Sequence, residues 1–374
     1  MNSHDDTVWV PCTTLERFMR DVFCQLGTPR AEAAICANVL MAADEFGFDS
    51  HGISRLKPIY YDRIKAGTQL AKTKIRVVKN LRAAAVLDGG NGMGHVVAHR
   101  AMTLAIQKAR QYGLGMVAVR NSTHFGIAGY YPLMAVKAGM IGICGTNARP
   151  SIAPTFGVEN MLGTNPLTFA MPTNDPFPFL LDCATSIIQR GKVEIHAKLN
   201  KPLPPGWVIA HDGSSQTDPH AVLADLIAGT AALLPLGGAG EDFAGYKGYG
   251  YATVVEILSA ALQQGAFLHM LSGRDARGCA TPIPLGHFFI AINIRHFTPL
   301  ASFKKIAGAI LRQLRASRKA PGQKRIYTAG EKEYATRRER RRRGIPVNLE
   351  TQREILAMRD ELGLRKYHFP FAPN

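Results

Sequence analysis

Along the first 67 residues the hydrophobic positions recur at the helical period, and the punctuation agrees with it. Thr13 or Thr14 is placed to cap a helix over residues 15–26; Thr28-Pro29 opens a second with proline at its permitted first-turn position, and Gly47 ends it. From residue 75 the pattern changes to short β-rich runs at 75–78, 84–87, 115–119 and 140–144, separated by helical stretches at 93–112 and 130–138. That alternation predicts a mixed α/β domain. A proline-rich tract follows, in which residues 179–182 read as a buried strand leading into a helix over 187–198. Proline and glycine cluster again at 201–207. Beyond the glycine-rich stretch 237–250 the pattern predicts a helix over 251–264, a strand at 288–294 and a charged, helical C-terminal tail.

A chain of 374 residues, 46% hydrophobic and 20% charged, is large enough for two globular domains. No window approaches the ~20 unbroken apolar residues of a membrane span. The start, with Asp5 and Asp6, has no hydrophobic leader, so a cytoplasmic protein is expected. Six scattered cysteines without a Cys-x-x-Cys pair suggest neither a disulfide framework nor a metal site. The net charge of +17 suits an anionic partner. Its densest block, Arg337-Arg338-Glu339-Arg340-Arg341-Arg342-Arg343, lacks interleaved aromatics and reads as a solvated helical face, not a nucleic-acid patch.

Two segments carry candidate chemistry. In Ser50-His51-Gly52-Ile53-Ser54-Arg55 a proton-transfer group and a carboxylate clamp stand four residues apart, which on a helix puts them on one face. In Asn121-Ser122-Thr123-His124-Phe125-Gly126 a histidine falls in the loop leaving a strand, where ligands of α/β domains bind. Gly90-Asn91-Gly92-Met93-Gly94 spaces its glycines as G-x-G-x-G, which is not the dinucleotide fingerprint, and a phosphate-binding P-loop motif is also missing. Gly237-Gly238-Ala239-Gly240 and the stretch from Gly245 to Gly250 with Lys247 read equally as phosphate cradles or plain loops. Asp182, between strand and helix, is either a ribose acceptor or a helix cap.

Taken with Leu162-Gly163-Thr164-Asn165-Pro166, Leu181-Asp182-Cys183-Ala184-Thr185, Gly191-Lys192-Val193, Leu233-Leu234-Pro235-Leu236-Gly237-Gly238, Tyr246-Lys247-Gly248-Tyr249-Gly250 and Tyr327-Thr328-Ala329-Gly330-Glu331-Lys332, these segments resemble the malate/L-lactate dehydrogenase family in order and spacing over nearly the whole chain. Its members include malate, sulfolactate and ureidoglycolate dehydrogenases, diketogulonate reductase and cyclic imine reductases. The resemblance implies a mixed α+β fold with a non-Rossmann nicotinamide-nucleotide-binding domain, residues 76–295, and a helical domain of residues 1–75 completed by 296–374. It implies NAD or NADP as cofactor, a homodimer, and interconversion of a small 2-oxo acid with its (S)-2-hydroxy acid.

Carried over by position, His51 and His124 match the two histidines assigned as proton donor in different members. His124 is favoured here as the acid, with His51 orienting substrate or cofactor and Arg55 holding the carboxylate. The same resemblance assigns nucleotide contacts to Asp182, Cys183, Ala184, Lys247, Gly248, Gly330 and Glu331. Where ureidoglycolate dehydrogenases carry a serine after the strand at 140–144, this chain has Ala148. A cyclic imine 2-carboxylate reductase is the alternative reading, and a nucleic-acid-binding protein on an inactive scaffold a remote one.

Overall fold

The computed structural model describes residues 7–372; Asp5 and Asp6 lie outside the described residues. Strand β1 (Val8–Val10) leads into helices α1 (Cys12–Gln25) and α2 (Arg30–Phe46). The first begins earlier than its threonines suggest, with Pro11 as N-cap and no side-chain cap, and Pro29 likewise stands at the N-cap of α2. Gly47 ends α2 in the left-handed conformation, as its position predicts. A 3-10 turn (Ile53–Arg55), a π-helical turn (Leu56–Tyr61) and the short α3 (Asp62–Lys65) follow.

The middle of the chain runs β2 (Arg76–Asn80), β3 (Ala84–Asp88), α4 (Gly94–Tyr112), β4 (Leu114–Ser122), α5 (Tyr130–Lys137), β5 (Met140–Thr146), β6 (Leu167–Met171) and β7 (Phe179–Cys183). Next come α6 (Arg190–Lys198), β8 (Val208–Ala210), α7 (Pro219–Ala228), β9 (Ala231–Leu233), α8 (Gly245–Ala260) and β10 (Leu285–Asn293). The chain finishes with α9 (Leu300–Ala316), α10 (Glu331–Arg343), β11 (Ile345–Val347) and α11 (Leu349–Glu361).

Seven strands form one mixed sheet in the order β2-β3-β4-β10-β5-β6-β7. Only β3 and β4 pair in parallel among its described strands; the other neighbours are antiparallel. One strand and one helix depart from the sequence reading for a local reason. Leu167–Met171 lies between Pro166 and Pro172, which hid it in the proline-rich tract, yet both prolines fall just outside the ladder. The helix expected from residue 187 starts at Arg190, because the Ile187 N–H is donated to Leu234 O.

Three apolar clusters underlie this layout. One draws on both chain ends, packing Phe18, Phe23, Leu40 and Tyr60 with Ile355 and Met358, while β1 and β11 pair antiparallel beside it. A second lies between the sheet and α4 and α5, around Val117, Val119, Ala101, Tyr131 and Phe289. The third, around Ile152, Val193, Val208, Val222 and Leu233, supports the segment that carries α6.

The basic run of α10 is not the freely solvated face that its composition suggests. Arg337 and Arg341 both pair with Glu45 at 2.8 Å, Arg340 pairs with Asp49, and α10 is thereby fixed to α2.

Candidate active site

His124 sits two residues beyond the end of β4, on a turn seated against the N-terminus of α4. The Gly94 N–H donates to Thr123 Oγ1 (3.0 Å), and that hydroxyl donates to Gly92 O (2.8 Å). A Cβ on Gly94 would lie 2.2 Å from Thr123 O and 2.5 Å from His124 O, so this glycine allows two backbones to touch under the histidine. The G-x-G-x-G stretch therefore supports the His124 turn.

The imidazole of His124 has a defined orientation. Its Nδ1 lies 2.6 Å from the Tyr60 hydroxyl and accepts from the Gly126 N–H at 3.3 Å. Because a backbone N–H can only donate, the hydrogen-bond network assigns the ring proton to Nε2. Burial lowers its pKa well below the ordinary histidine value, and the nearby His51, His95, Arg63 and Arg55 lower it further, so the ring is neutral. The His51 ring stacks on it, with centroids 5.9 Å apart and planes 24° from parallel.

His51 and Arg55 come together through a loop and not a shared helical face. Residue 51 precedes the 3-10 turn, and the Arg55 Nε–H donates to Ser50 O at 2.5 Å, while Ser50 Oγ stands 2.9 Å from His51 Nδ1. Beneath the loop, Asp44 is 1% exposed and its Oδ2 accepts the Ile53 N–H at 2.8 Å. A Cβ on Gly52 would fall 1.8 Å from Asp44 Oδ1, so only glycine lets the loop descend this far. Arg340 donates to Asp44 O (2.5 Å) as well as pairing with Asp49, which ties the C-terminal part of the chain to the loop. Burial, then the Arg55 charge, brings the His51 pKa down to about 4.

A cavity of 260 Å³ opens between this loop, the segment after His124 and the end of β7. His51, Arg55, Gly126, Asp182, Cys183 and Ala184 all contribute to its wall, as does the N-terminus of α6 through Gln189, Arg190 and Gly191. Among the described residues no side chain caps α6, so that end of the cavity offers first-turn amides and the positive end of a helix. Asp182 does not cap α6. Its Oδ2 accepts the Gly129 N–H (2.7 Å) and its Oδ1 the Thr168 hydroxyl (3.0 Å), and burial raises its pKa against the effect of those donors.

The remaining nucleotide candidates lie outside this wall. Lys247 is exposed, with its ammonium 5.7 Å from the Tyr246 ring, while Gly248 packs against Leu236, whose N–H donates to Thr185 O at 2.8 Å, one residue from Ala184. Gly330 caps α10 in the left-handed conformation against Pro178 O. Glu331 is buried, paired with Arg325 and accepting the Thr328 N–H (3.3 Å), on a separate cavity of 620 Å³.

Several contributors escape a reading of the chain in order. The bond from Tyr60 to His124 spans 64 positions and depends on a π-helical turn that a 3.6-residue period does not describe. Asp44 reads as part of a helix face, and Arg63 as an ordinary surface charge.

The sequence profile of the malate/L-lactate dehydrogenase family matches residues 10–356. The chain belongs to the malate/L-lactate dehydrogenase family. It is 41% identical over 360 residues to a malate dehydrogenase from Pyrococcus horikoshii, covering 96% of this chain and 97% of that protein. The crystal structure of a malate dehydrogenase from Entamoeba histolytica superimposes with a TM-score of 0.93 at 43% identity, covering 98% of this chain and all of that one. A δ1-piperideine-2-carboxylate reductase from Pseudomonas syringae pv. tomato shares the fold at greater distance, with a TM-score of 0.79 and 27% identity over 94% of this chain and all of that one. Among the described residues no helix is long and apolar enough to cross a membrane.

Proposed function

We propose that this family member is a nicotinamide-dependent dehydrogenase interconverting a 2-oxo acid and its (S)-2-hydroxy acid, with His124 as proton donor. The observation that carries the reading is the orientation of His124, whose Nδ1 is bonded to Tyr60 and Gly126 and whose Nε2 therefore holds the proton. The cavity beside it suits a nicotinamide nucleotide: an uncapped helix N-terminus with Arg190 matches a pyrophosphate, and small residues, Gly126, Ala128 and Ala184, leave room for flat rings. In this reading Asp182, Cys183 and Ala184 line the nucleotide, with Lys247, Gly248, Gly330 and Glu331 as outlying contacts. Such a nucleotide, when bound, supplies or accepts the hydride.

Arg55 takes the substrate carboxylate through the face of the guanidinium that Ser50 O leaves free. The Nε2–H of His124 donates to the 2-oxo oxygen and passes its proton there as negative charge develops. Tyr60 O–H and Gly126 N–H, both donating to Nδ1, offset the charge the ring then takes on. His51, stacked on His124 and held by Ser50, closes the site on the cavity side.

NAD and NADP both fit this reading: Arg190, the one residue read as a possible partner for a 2′-phosphate, pairs with Glu194 at 3.2 Å. Two domains of the stated boundaries, with a nucleotide site outside the Rossmann topology, are part of it. So is a homodimer, supported by the exposed apolar positions Tyr251, Val254, Ile257 and Leu262 along and just beyond α8. Six free thiols suit a reducing cytoplasm. The test is oxidation of NADH and NADPH by the purified protein with oxaloacetate, pyruvate or piperideine-2-carboxylate. Turnover of a 2-oxo acid is expected; turnover of the imine alone would transfer the reading to the reductase branch.

A further inference from the structure

The arginines of α10 do not all hold the same thing. Arg343 pairs with Glu339 of its own helix at 2.8 Å, and Arg337 and Arg341 share Glu45 of α2. Arg340 reaches further, past the end of α2 and into the loop that carries His51 and Arg55. Its Nη1–H donates to Asp44 O (2.5 Å) and to Asp49 Oδ1, and its Nη2–H to Asp49 Oδ2 (3.0 Å). One guanidinium thus grips both oxygens of the Asp49 carboxylate together with the last turn of α2, a two-pronged contact that fixes direction as well as distance.

Asp49 is where this grip meets the residues that face the substrate. Asp49 O accepts the Ser54 hydroxyl (2.5 Å), and the next carbonyl, Ser50 O, accepts the Arg55 Nε–H (2.5 Å). Ser50 also places its Oγ 2.9 Å from His51 Nδ1. Holding residue 49 therefore holds the two carbonyls that orient residues 54 and 55, while the bond from Ile53 N–H to Asp44 Oδ2 holds the far side of the loop on the same turn of α2. The Asp49 side chain is 59% exposed and that of Arg340 11%, so the pair adds little to global stability. Its consequence lies in where it keeps the loop.

Resting on the function proposed above, we infer that Arg340 is a positioning residue for substrate binding: through Asp49 it keeps the His51 loop in the arrangement in which Arg55 receives the substrate carboxylate. Arg340 touches neither substrate nor nucleotide in this role, and the hydride and proton steps do not pass through it. A charge that looks like one of many on a solvated helix is thereby part of the substrate clamp.

The experiment measures kcat and KM for oxaloacetate or pyruvate, whichever is turned over faster, at saturating reduced nucleotide, in the natural enzyme and in Arg340→Ala, Arg340→Lys, Asp49→Asn and Arg341→Ala. Thermal melts verify folding. With the grip removed and the clamping arrangement populated for about a tenth of the time, KM in Arg340→Ala should rise roughly 10-fold, with kcat within about threefold. Asp49→Asn replaces an exposed side chain, leaves the packing in place and should raise KM in the same direction. Arg340→Lys keeps the charge but not the fork and should recover part of the loss. Arg341→Ala removes a contact between the same two helices that does not reach the loop, so its KM should match the natural enzyme. Added to Arg55→Ala, which itself raises KM, Arg340→Ala should cost less than about twofold more, because it acts through the residue already removed. An unchanged KM in both Arg340→Ala and Asp49→Asn, an equal rise in Arg341→Ala, or full additivity with Arg55→Ala overturns the assignment while leaving the dehydrogenase reading intact. An unchanged KM in Arg55→Ala alone removes the clamp, and absence of turnover with either 2-oxo acid removes the function; this inference falls with each.

Discussion

Removing one oxygen atom from Tyr60 tests whether His124 acts as a neutral acid. In Tyr60→Phe the ring stays in a site where Tyr60 is 0% exposed, so packing against Phe23 and His95 is kept, but the 2.6 Å bond to His124 Nδ1 disappears. What remains at Nδ1 is the Gly126 N–H at 3.3 Å, a longer and weaker donor. If the proton leaves Nε2 of a neutral ring, the Tyr60 bond strengthens as charge develops, and a hydrogen bond to a charged group is worth about 1.5–3 kcal/mol. The loss should appear as a fall in kcat of about 10- to 150-fold. Substrate KM and nucleotide Kd should change little, since Tyr60 lines neither cavity. Steady-state kinetics with saturating NADH or NADPH, and fluorescence titration of the reduced nucleotide, measure the two sides. A kcat within about threefold of the natural enzyme, with the fold intact, would refute the proposed role of Tyr60 and of Nδ1.

His124→Ala should lower kcat by at least ~100-fold with nucleotide affinity nearly unchanged, in line with the usual contribution of acid catalysis; an active variant excludes His124 as the acid. Gly52→Ala should disturb His51 and Arg55 together, because its new Cβ meets the Asp44 carboxylate, and a raised KM for the 2-oxo acid in a folded protein is the expected sign. Because burial keeps His124 neutral, kcat for reduction should stay flat between about pH 6 and 8; a tenfold fall per unit across that range would indicate an imidazolium donor instead. Stability responds to acid through His51, lowered to about 4, and His95 and His287, each lowered to about 3. These rings stay neutral in the fold while the unfolded chain takes up protons below about pH 6.5, so their contribution is complete above that pH. Each should lose up to about 1.4 kcal/mol per unit as the pH falls toward 4. Denaturant titrations at pH 7.5 and 5.5 check this, and equal midpoints would contradict it.

How far the sequence foretold these features depends on the distance over which each is determined. Gly47, the strands at 84–88 and 114–122 and the helix over 94–112 were legible because local periodicity and one helix-terminating glycine decide them. Leu167–Met171 was not, since flanking prolines mask a strand whose partners come from β5 and β7. His51, His124, Arg55 and Asp182 were legible as candidates because unusual residue types fall at strand ends and helix ends. Their relations were not: the stacking of two rings 73 positions apart and the Tyr60 bond exist only after the helical cluster closes on the sheet. The loop around Arg149 was legible as a place where specificity could rest, but its sharing of one cavity with Arg63, without an acidic partner for either among the described residues, appears only in the fold.

The central claim is hydride transfer to a 2-oxo acid at the His124 site, and deuterium tracing addresses it most directly. Oxaloacetate reduced by the enzyme with NADH or NADPH carrying deuterium at both C4 positions should yield (S)-malate with deuterium at C2, formed by the natural protein and at least ~100-fold more slowly by His124→Ala. Malate formed without deuterium by either cofactor, or equal rates from the two proteins, would contradict the account.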